Sequence, residues 1–306
     1  MKKAIVTGAN GFVGRYLIAQ LANLKYDIWA VVRNESENIS FIEPYHPHIV
    51  NCDLADFAKL STLIPTGTYE CFYHLAWAGS SGSARADYAL QLINAKACAE
   101  AAESAAGLGC KRFVGAGSIT QLMYGDYLMQ DGCQPEPVTQ YAIAKTAGQN
   151  MARCICTEKK VDFLWGYISN LYGVGDVSQN IVNFLIKSYL DGKTPILTSG
   201  VQDADFIYVS DVADALIAMA EGGKDGTSYY IGFGNPRPLY TFVTEIRDLI
   251  DPHLDTGLGG KVFRGLSPDF QRLDIQKLRR DTGFIPKIPF KGGIVKTTEW
   301  IKSTIS

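Results

Sequence analysis

A glycine-rich loop near the N-terminus constrains the fold more than any other segment. Three glycines stand three residues apart in Thr7–Gly14, TGANGFVG, directly after the apolar run Ala4–Val6. With 30 glycines in the chain this spacing arises easily by chance, so its context decides. Here it joins a strand to a helix, where glycines permit a tight turn and let backbone N–H groups approach a pyrophosphate at the helix N-terminus. The loop therefore predicts a dinucleotide-binding strand–loop–helix unit.

Apolar strands alternate with helical stretches through the first half of the chain. Strands are predicted at 4–7, 28–32, 49–52, 71–75, 112–115 and 161–168, and helices at 12–23, 84–106 and 141–157. Such alternation indicates βαβ units around a buried parallel sheet. We predict an α/β fold, a Rossmann-type doubly wound parallel sheet in residues 1–168. A smaller substrate-binding domain is expected mainly in residues 169–306, with helices near 180–190, 211–221, 240–250 and 293–301, and the chain is expected to interleave between the two.

Composition argues against several classes of partner. The formal net charge is -2, and no basic stripe suited to a phosphate backbone is visible, so nucleic acid is not expected. No apolar run approaches the roughly 18 residues of a membrane span or the length of a signal-peptide core. Seven scattered cysteines without a Cys-x-x-Cys pair indicate reduced thiols and no metal site. We expect a soluble cytoplasmic protein without membrane partners.

The end of the second predicted strand bears on cofactor choice. An acidic residue about 20 positions after the glycines commonly binds the adenosine ribose, but here Val32 is followed by Arg33. A guanidinium suits a 2′-phosphate, so NADP(H) is favoured, with NAD(H) possible. The alternative is that Arg33 is a solvated loop residue and Glu35 binds the ribose. Asp53 and Leu54, after the third strand, are expected to contact the adenine.

Tyr141 and Lys145 form the candidate catalytic pair. Four residues apart on a predicted helix, they share one face. A tyrosine titrates near pH 10, and a nearby lysine cation is expected to lower that pKa and make Tyr141 useful as a general acid/base. Tyr189 and Lys193 have the same spacing, but Asp191 and Gly192 terminate the helix between them. We therefore expect Tyr189 to be structural.

Together these segments resemble the extended short-chain dehydrogenases/reductases of the nucleotide-sugar epimerase/dehydratase type, along essentially the whole chain. The resemblance is carried by Thr7–Gly14, Cys52–Leu54, Tyr73–Ala76, Leu92–Asn94, Phe113–Ser118, Tyr141–Lys145, Ser169–Gly173, Asp205–Val212, Asp274–Lys277 and Thr298–Trp300.

The resemblance implies a serine or threonine, at the end of the fifth strand, that hydrogen-bonds the reacting sugar oxygen. Counting forward from Phe113 gives Ser118, whereas counting back from Tyr124 gives Thr120, because the loop is two residues longer than the usual pattern. We favour Ser118, since the strand fixes its position, and keep Thr120 as the alternative.

Further site residues follow from the same resemblance. Those expected at the cofactor are Gly8, Asn10, Gly11, Phe12, Val13, Gly14, Arg33, Asp53, Leu54, Leu75, Ala76, Asn94, Tyr141, Lys145 and Ser169. Ser118, Asn170 and Arg264 are expected at the substrate, Arg264 because an arginine about ten residues before the Asp274–Lys277 segment commonly holds the diphosphate.

Departures from the family pattern reduce the number of reactions that the chain is expected to catalyse. Ala204 stands where an arginine is expected before Asp205, and the arginine expected near Tyr167 is also missing. The acidic pair that follows the catalytic threonine in 4,6-dehydratases is replaced by Ile119-Thr120-Gln121, so elimination is not expected.

We expect an NADPH-dependent reductase of a keto group, most readily a 4-keto group, on a nucleotide-diphosphate sugar. An epimerase with retained NAD is the alternative, and a non-catalytic NADP(H)-binding sensor a weaker one. The resemblance also implies a homodimer formed through the helices at 84–106 and 141–157.

Overall fold

A computed structural model describes residues 1–34, 36, 38–263 and 265–305. The strands are β1 Lys3–Thr7, β2 Asp27–Val32, β3 His48–Asn51, β4 Cys71–His74, β5 Arg112–Ser118, β6 Asp162–Ile168, β7 Asn170–Tyr172, β8 Asp203–Ala204, β9 Phe206–Tyr208, β10 Thr227–Ile231 and β11 Arg237–Pro238. The helices are α1 Phe12–Asn23, α2 Leu60–Leu63, α3 Tyr88–Leu108, α4 Ile119–Leu128, α5 Gln140–Lys159, α6 Ile181–Leu190, α7 Val209–Gly222, α8 Leu239–Ile250, α9 Lys277–Thr282 and α10 Phe290–Ile305. Within these ranges, no helix combines the length and the apolar character that crossing a bilayer requires.

Seven parallel strands form the main sheet, in the order β10-β6-β5-β4-β1-β2-β3. The order reverses beside β1, as in doubly wound dinucleotide-binding folds. The predicted Rossmann-type α/β class is therefore confirmed. All carboxyl ends of these strands lie on one edge of the sheet, so the predicted site residues that follow β1, β2, β3, β4, β5 and β6 meet there.

Both faces of the sheet are buried, as parallel sheets require. On one face, aromatic rings stack across three neighbouring strands: Phe72 on Phe113, Phe113 on Phe163 and Phe163 beside Trp165, with ring centroids 5.7, 6.0 and 6.1 Å apart. These rings pack against buried alanines and Cys98 of α3 and α5. The opposite face packs on α1 and α7. The three phenylalanines are register partners on neighbouring strands and fill this face of the sheet.

The C-terminal half contributes to two different cores. β10 pairs with β6 in the main sheet, from Thr227 opposite Leu164 to Ile231 opposite Ile168, although about 60 residues separate the two strands. Other C-terminal elements build a separate cluster in which Tyr172, Phe206, Phe242 and Phe290 pack closely, the last two rings 4.7 Å apart. Two short two-stranded sheets, β7 with β9 and β8 with β11, connect these regions.

The structure departs from the predicted elements chiefly around the catalytic segment. Residues 119–128, treated as a loop, form helix α4, because Ser118 and Gln121 make a reciprocal capping box at its start. The helix predicted from residue 84 begins at Tyr88, where the Asp87 carboxylate accepts the Leu90 N–H at 3.1 Å. A short 3-10 turn, Gly82–Ala86, precedes it.

Candidate active site

The glycine loop is packed too closely for side chains at two of its positions. Gly8 has φ +66°, and a Cβ atom there would lie 2.8 Å from the backbone nitrogen of Ala76. A Cβ atom on Gly14 would overlap the carbonyl oxygen of Gly8. These two glycines therefore let the loop lie directly against both α1 and the segment after β4.

Helix α1 begins without a side-chain cap. Gly11 is its N-cap, so among the described residues no capping side chain accepts from the N–H groups of Phe12, Val13 and Gly14 in the first turn. Together with the helix dipole, these donors form a site for an anion such as a pyrophosphate. This uncapped helix and the close glycine packing fit a bound dinucleotide.

The segment after β4 is held against this loop by Thr7. The Thr7 hydroxyl lies 3.0 Å from Nδ1 of His74 and accepts the Ala76 N–H at 3.3 Å, while the Thr7 carbonyl accepts the Leu75 N–H at 3.2 Å. Burial lowers the pKa of His74 to about 3, so this imidazole is neutral at pH 7. Leu75 and Ala76 thereby form a fixed backbone edge beside the predicted cofactor site.

At the ends of β2 and β3, the Arg33 side chain is exposed, whereas residues around it are held by hydrogen bonds. Both the backbone N–H and the side-chain amide of Asn34 donate to the Asp53 carboxylate, at 3.1 and 2.9 Å. Asn10 of the glycine loop donates to the Ser36 hydroxyl. Within the described ranges, no hydrogen bond or ion pair engages the Arg33 guanidinium. Asp53 orders this loop, and Leu54 follows it as the first residue of a 3-10 helix.

Two buried amides fix the backbone beyond Ala76. Asn94 accepts the Ala78 N–H and donates to the Ala78 carbonyl, both at 2.8 Å. Gln91 accepts the Trp77 indole N–H at 2.9 Å and donates to the carbonyls of Gly79 and Ala84, both at 3.1 Å. Asn94 thus supports the site through the backbone.

Ser118 and Tyr141 meet at the end of β5. Ser118 is the last residue of that strand, and its hydroxyl accepts the backbone N–H of Thr120 at 3.3 Å and its hydroxyl proton at 2.9 Å. An interaction with the Ser118 hydroxyl also favours the ionised form of Tyr141. The two candidate hydroxyls are therefore adjacent, and the catalytic role of Ser118 stays a prediction.

Beneath Ser118 lies a network of buried amides. The Gln121 side-chain oxygen accepts the Ser118 N–H at 3.0 Å and the Trp165 indole N–H at 3.2 Å, while its amide donates to Gln149 at 2.8 Å. Gln149 donates in turn to the Tyr167 hydroxyl at 2.9 Å. Because both glutamines are buried and bonded, this network fixes the position of Ser118.

Lys145 is buried one helical turn after Tyr141. Its ammonium donates to the Ala116 carbonyl at 2.7 Å and lies 3.8 Å from the centroid of the Trp77 ring. Burial lowers the pKa of Lys145 to about 7. Near pH 7 Lys145 is therefore present in both its charged and its neutral form, and it can carry a charge or exchange a proton.

The expectation that Lys145 lowers the pKa of Tyr141 is wrong for this arrangement. Burial raises the pKa of Tyr141, and the opposing influences are the Arg85 cation and Ser118. The Arg85 guanidinium carbon lies 4.7 Å from the Tyr141 ring centroid. Lys145 is instead engaged by Ala116 and Trp77, and its own burial disfavours its charge.

Ser169 and Asn170 lie at the end of β6, against Asp205. The Ser169 hydroxyl donates to the Asp205 carbonyl at 2.7 Å and accepts the Tyr230 hydroxyl at 2.9 Å. The Asn170 side chain donates to the same carbonyl at 3.3 Å, and the Asp205 carboxylate accepts Tyr230 and the Gly234 N–H. Their roles at cofactor and substrate stay predictions, and both Arg264 and Glu35 lie outside the described residues.

The second Tyr–Lys match is structural, as expected. Tyr189 is buried in the C-terminal core, and its hydroxyl donates to the Thr256 carbonyl at 2.9 Å. Lys193 lies beyond the end of α6 and pairs with Asp191 at the surface.

Comparison with known proteins identifies the family of this arrangement. The model of the NAD dependent epimerase/dehydratase family matches residues 4–232. The chain belongs to that family. The predicted resemblance is thereby confirmed.

The curated relatives of this epimerase/dehydratase family member include dTDP-glucose 4,6-dehydratases. One from Escherichia coli is 29% identical over 54% of this chain and 47% of its own length. Another, from Neisseria meningitidis, is 24% identical over 98% of this chain and 93% of its own. The chain thus spans about half the length of the first of these relatives.

Solved structures share the whole fold. UDP-glucose 4-epimerase from Thermotoga maritima, determined with UDP-glucose, has a TM-score of 0.80 at 20% identity, covering 99% of this chain and 100% of its own. The Bordetella bronchiseptica enzyme WbmF, determined with NAD+ and UDP, also gives 0.80 at 22% identity, covering 99% and 93%. At these identities the likeness shows the fold.

Several residues at the site escaped the sequence reasoning. Trp77 and Arg85 both contact Tyr141 or Lys145 from the segment after β4, and Gln121 and Gln149 hold Ser118 from below. Trp77 had a usable signal, because residues that follow a parallel strand at its carboxyl end commonly line the ligand crevice.

Proposed function

We propose that this family member is an NADPH-dependent reductase of a keto group, favouring the 4-keto position, on a nucleotide-diphosphate sugar. The observation that carries this proposal is the convergence of Ser118, Tyr141 and Lys145 at the sheet edge that also holds the uncapped start of α1. General acid/base groups beside a dinucleotide site suit hydride transfer to a carbonyl.

The nicotinamide, when bound, supplies the hydride. Tyr141 then donates the proton that converts the developing alkoxide into a hydroxyl, and burial keeps the phenol protonated at neutral pH. Ser118 holds the substrate oxygen next to Tyr141, fixed by its place at the strand end and by Gln121. Lys145 is expected to serve the cofactor ribose, since its ammonium is set on the same edge by Ala116.

The structure speaks against elimination at this site. A 4,6-dehydratase needs acidic groups directly after the catalytic hydroxyl, whereas Ser118 is followed by Ile119 and Thr120, and then by the neutral Gln121. Both ends of that amide are already engaged, with Ser118 and Trp165 on one side and Gln149 on the other. Dehydration is therefore excluded from the proposal, although it is the activity named for the curated relatives.

Arg33 favours the reductase over an epimerase. The exposed guanidinium of Arg33 after β2 suits the 2′-phosphate of NADPH, and a cofactor that is consumed is more often NADPH. The epimerase is the second candidate, because structural neighbours include an epimerase with UDP-glucose and proteins solved with NAD. It would retain NAD and leave no net change in cofactor.

The test begins with the nucleotides that the purified protein carries, released by denaturation and identified by mass spectrometry. NADPH and NADH oxidation is then followed over a panel of 4-keto nucleotide sugars. The reductase predicts stoichiometric NADPH consumption and a product nucleotide sugar in which a hydroxyl replaces the keto group. Interconversion of two unmodified nucleotide sugars, with retained NAD and no net oxidation, would contradict it and favour the epimerase.

We also propose a homodimer through α3 and α5. These helices pack side by side, and their outer faces expose Tyr88 at 68%, Leu92 at 65%, Ile143 at 48% and Met151 at 41%. An apolar surface of this kind, spread over two adjacent helices, suits the same surface on a second copy.

A further inference from the structure

The segment between β4 and α3 brings two unassigned side chains to the catalytic pair. Trp77 lies edge-on to Tyr141, with ring centroids 6.1 Å apart and an interplanar angle of 83°, and its ring also contacts the Lys145 ammonium. Arg85 stands eight residues later, on the 3-10 turn Gly82–Ala86, with its guanidinium on the Tyr141 ring. One segment therefore touches both catalytic residues.

This segment is held in place from the protein interior. Gln91, which is 1% exposed, bonds to the Trp77 indole and to the carbonyls of Gly79, before the turn, and Ala84, within it. The Arg85 Nε donates to the Ser80 carbonyl at 2.7 Å. Because the backbone is fixed at both ends and Nε is engaged, the guanidinium is a positioned group.

The Arg85 charge has no acidic partner among the residues that the structure describes. In an ion pair, a carboxylate would neutralise most of the guanidinium charge. An unpaired guanidinium next to a phenol instead favours the phenolate form. The positive charge of Arg85 therefore acts on the Tyr141 phenol.

Other charged or titratable groups near Tyr141 are accounted for. His74 and Cys98 interact with Lys145, and burial keeps both neutral at pH 7, with a pKa of about 3 for His74 and about 12 for Cys98. The turn Pro137–Thr139, which leads into α5, carries no charge, and Glu136 before it is exposed. Lys145 is the remaining cation, and it is held by Trp77 and Ala116.

We propose that Arg85 is a positioning residue that adds positive charge beside the Tyr141 phenol. The proposal rests on the proposed oxidoreductase function only in giving Tyr141 a proton to transfer. Arg85 favours the phenolate of Tyr141, and so it sets the pH range in which the phenol exchanges that proton.

The experiment measures the ionisation of Tyr141 with and without this cation. Tyrosinate absorbance is titrated for wild type, Arg85→Met, Arg85→Lys and Lys145→Met, each corrected by the same variant carrying Tyr141→Phe so that the difference reports Tyr141 alone. A cation 4–6 Å away lowers such a pKa by about 1–3 units, and a partly exposed one acts at the low end. Arg85→Met should therefore raise the Tyr141 midpoint by about 1 pH unit, and Arg85→Lys should restore most of it.

Lys3→Met is the matched control, because it removes a cation 5.9 Å from the Tyr69 ring at the opposite edge of the sheet. It should leave the Tyr141 midpoint unchanged. A midpoint that moves in Lys145→Met and stays fixed in Arg85→Met would overturn the proposal. This titration needs no substrate, so it stands apart from the question of which sugar is reduced.

With an active substrate, the same shift appears in the rate. NADPH oxidation needs the protonated phenol, so its rate falls as the pH rises through the Tyr141 pKa, and Arg85→Met should move that fall to higher pH by about 1 unit. A lower rate with an unshifted pH profile would contradict the proposal and leave Arg85 as a substrate contact.

Discussion

Replacing Lys145 by methionine should make the ligand-free protein more stable while removing its catalytic activity. The side chain is 5% exposed, and its pKa is about 7 instead of the ordinary 10.5. That shift of roughly 3.5 units, at about 1.4 kcal/mol each, corresponds to ~5 kcal/mol of unfavourable burial for the charged form. The Ala116 carbonyl loses its donor in the variant, at a cost of about 1–3 kcal/mol, so a net gain of about 2–4 kcal/mol remains.

The pH dependence of this gain identifies its cause. Between pH 7 and 10.5 the unfolded wild type binds a proton at Lys145 that the folded protein has released, so wild-type stability rises with pH across this window. Methionine has no proton to bind. The advantage of Lys145→Met should therefore be full below pH 7, shrink between pH 7 and 10.5, and become a deficit of about 1–3 kcal/mol above that window, where only the lost hydrogen bond to Ala116 remains.

Urea unfolding of both proteins at about pH 6, 8 and 10 measures the gap directly. The control is Lys193→Met, since that side chain is 73% exposed and should change stability by less than about 0.5 kcal/mol at every pH. A Lys145→Met protein that is less stable than wild type at pH 6, or a gap that does not vary with pH, would refute the reasoning.

Four further substitutions test the cofactor, the catalytic hydroxyl and the assembly. Arg33→Ala should weaken NADPH binding by about 10- to 100-fold and leave NADH binding nearly unchanged, as fluorescence titration would show; equal losses would refute the 2′-phosphate contact. Ser118→Ala should reduce turnover sharply while Thr120→Ala keeps most of it, and the reverse ranking would move the catalytic role to Thr120. Leu92 is 65% exposed on the apolar outer face of α3, so the charge introduced by Leu92→Glu should shift the protein to monomers in sedimentation analysis. An unchanged dimer would locate the interface elsewhere.

Local sequence patterns predicted those helices and strands whose position is marked by neighbouring residues. Helix α1 was predicted with the bounds that the structure gives, because the glycine loop marks its start and its apolar positions recur at helical spacing. Ser118 was located by counting along a strand that is itself a strong apolar run. These inferences need only neighbouring residues.

The missed features have two different causes. Helix α4 contains Gly125, and its signal was local, the capping pair Ser118 and Gln121. The contacts of Tyr141 depend instead on residues far apart in the chain. Arg85 reaches Tyr141 across 56 positions, and neither residue type reveals that contact. A nearby lysine was the obvious cation for Tyr141, and only the three-dimensional packing shows that Trp77 and Ala116 engage it instead.

The most direct test of the central claim removes one oxygen atom from Tyr141. Tyr141→Phe keeps the ring and its contacts with Trp77 and Arg85, so NADPH affinity and stability should change little. Turnover of a 4-keto nucleotide sugar should fall by at least ~10²-fold, the scale of a lost general acid, while Tyr189→Phe should be nearly silent. A Tyr141→Phe protein that oxidises NADPH at the wild-type rate would contradict the account.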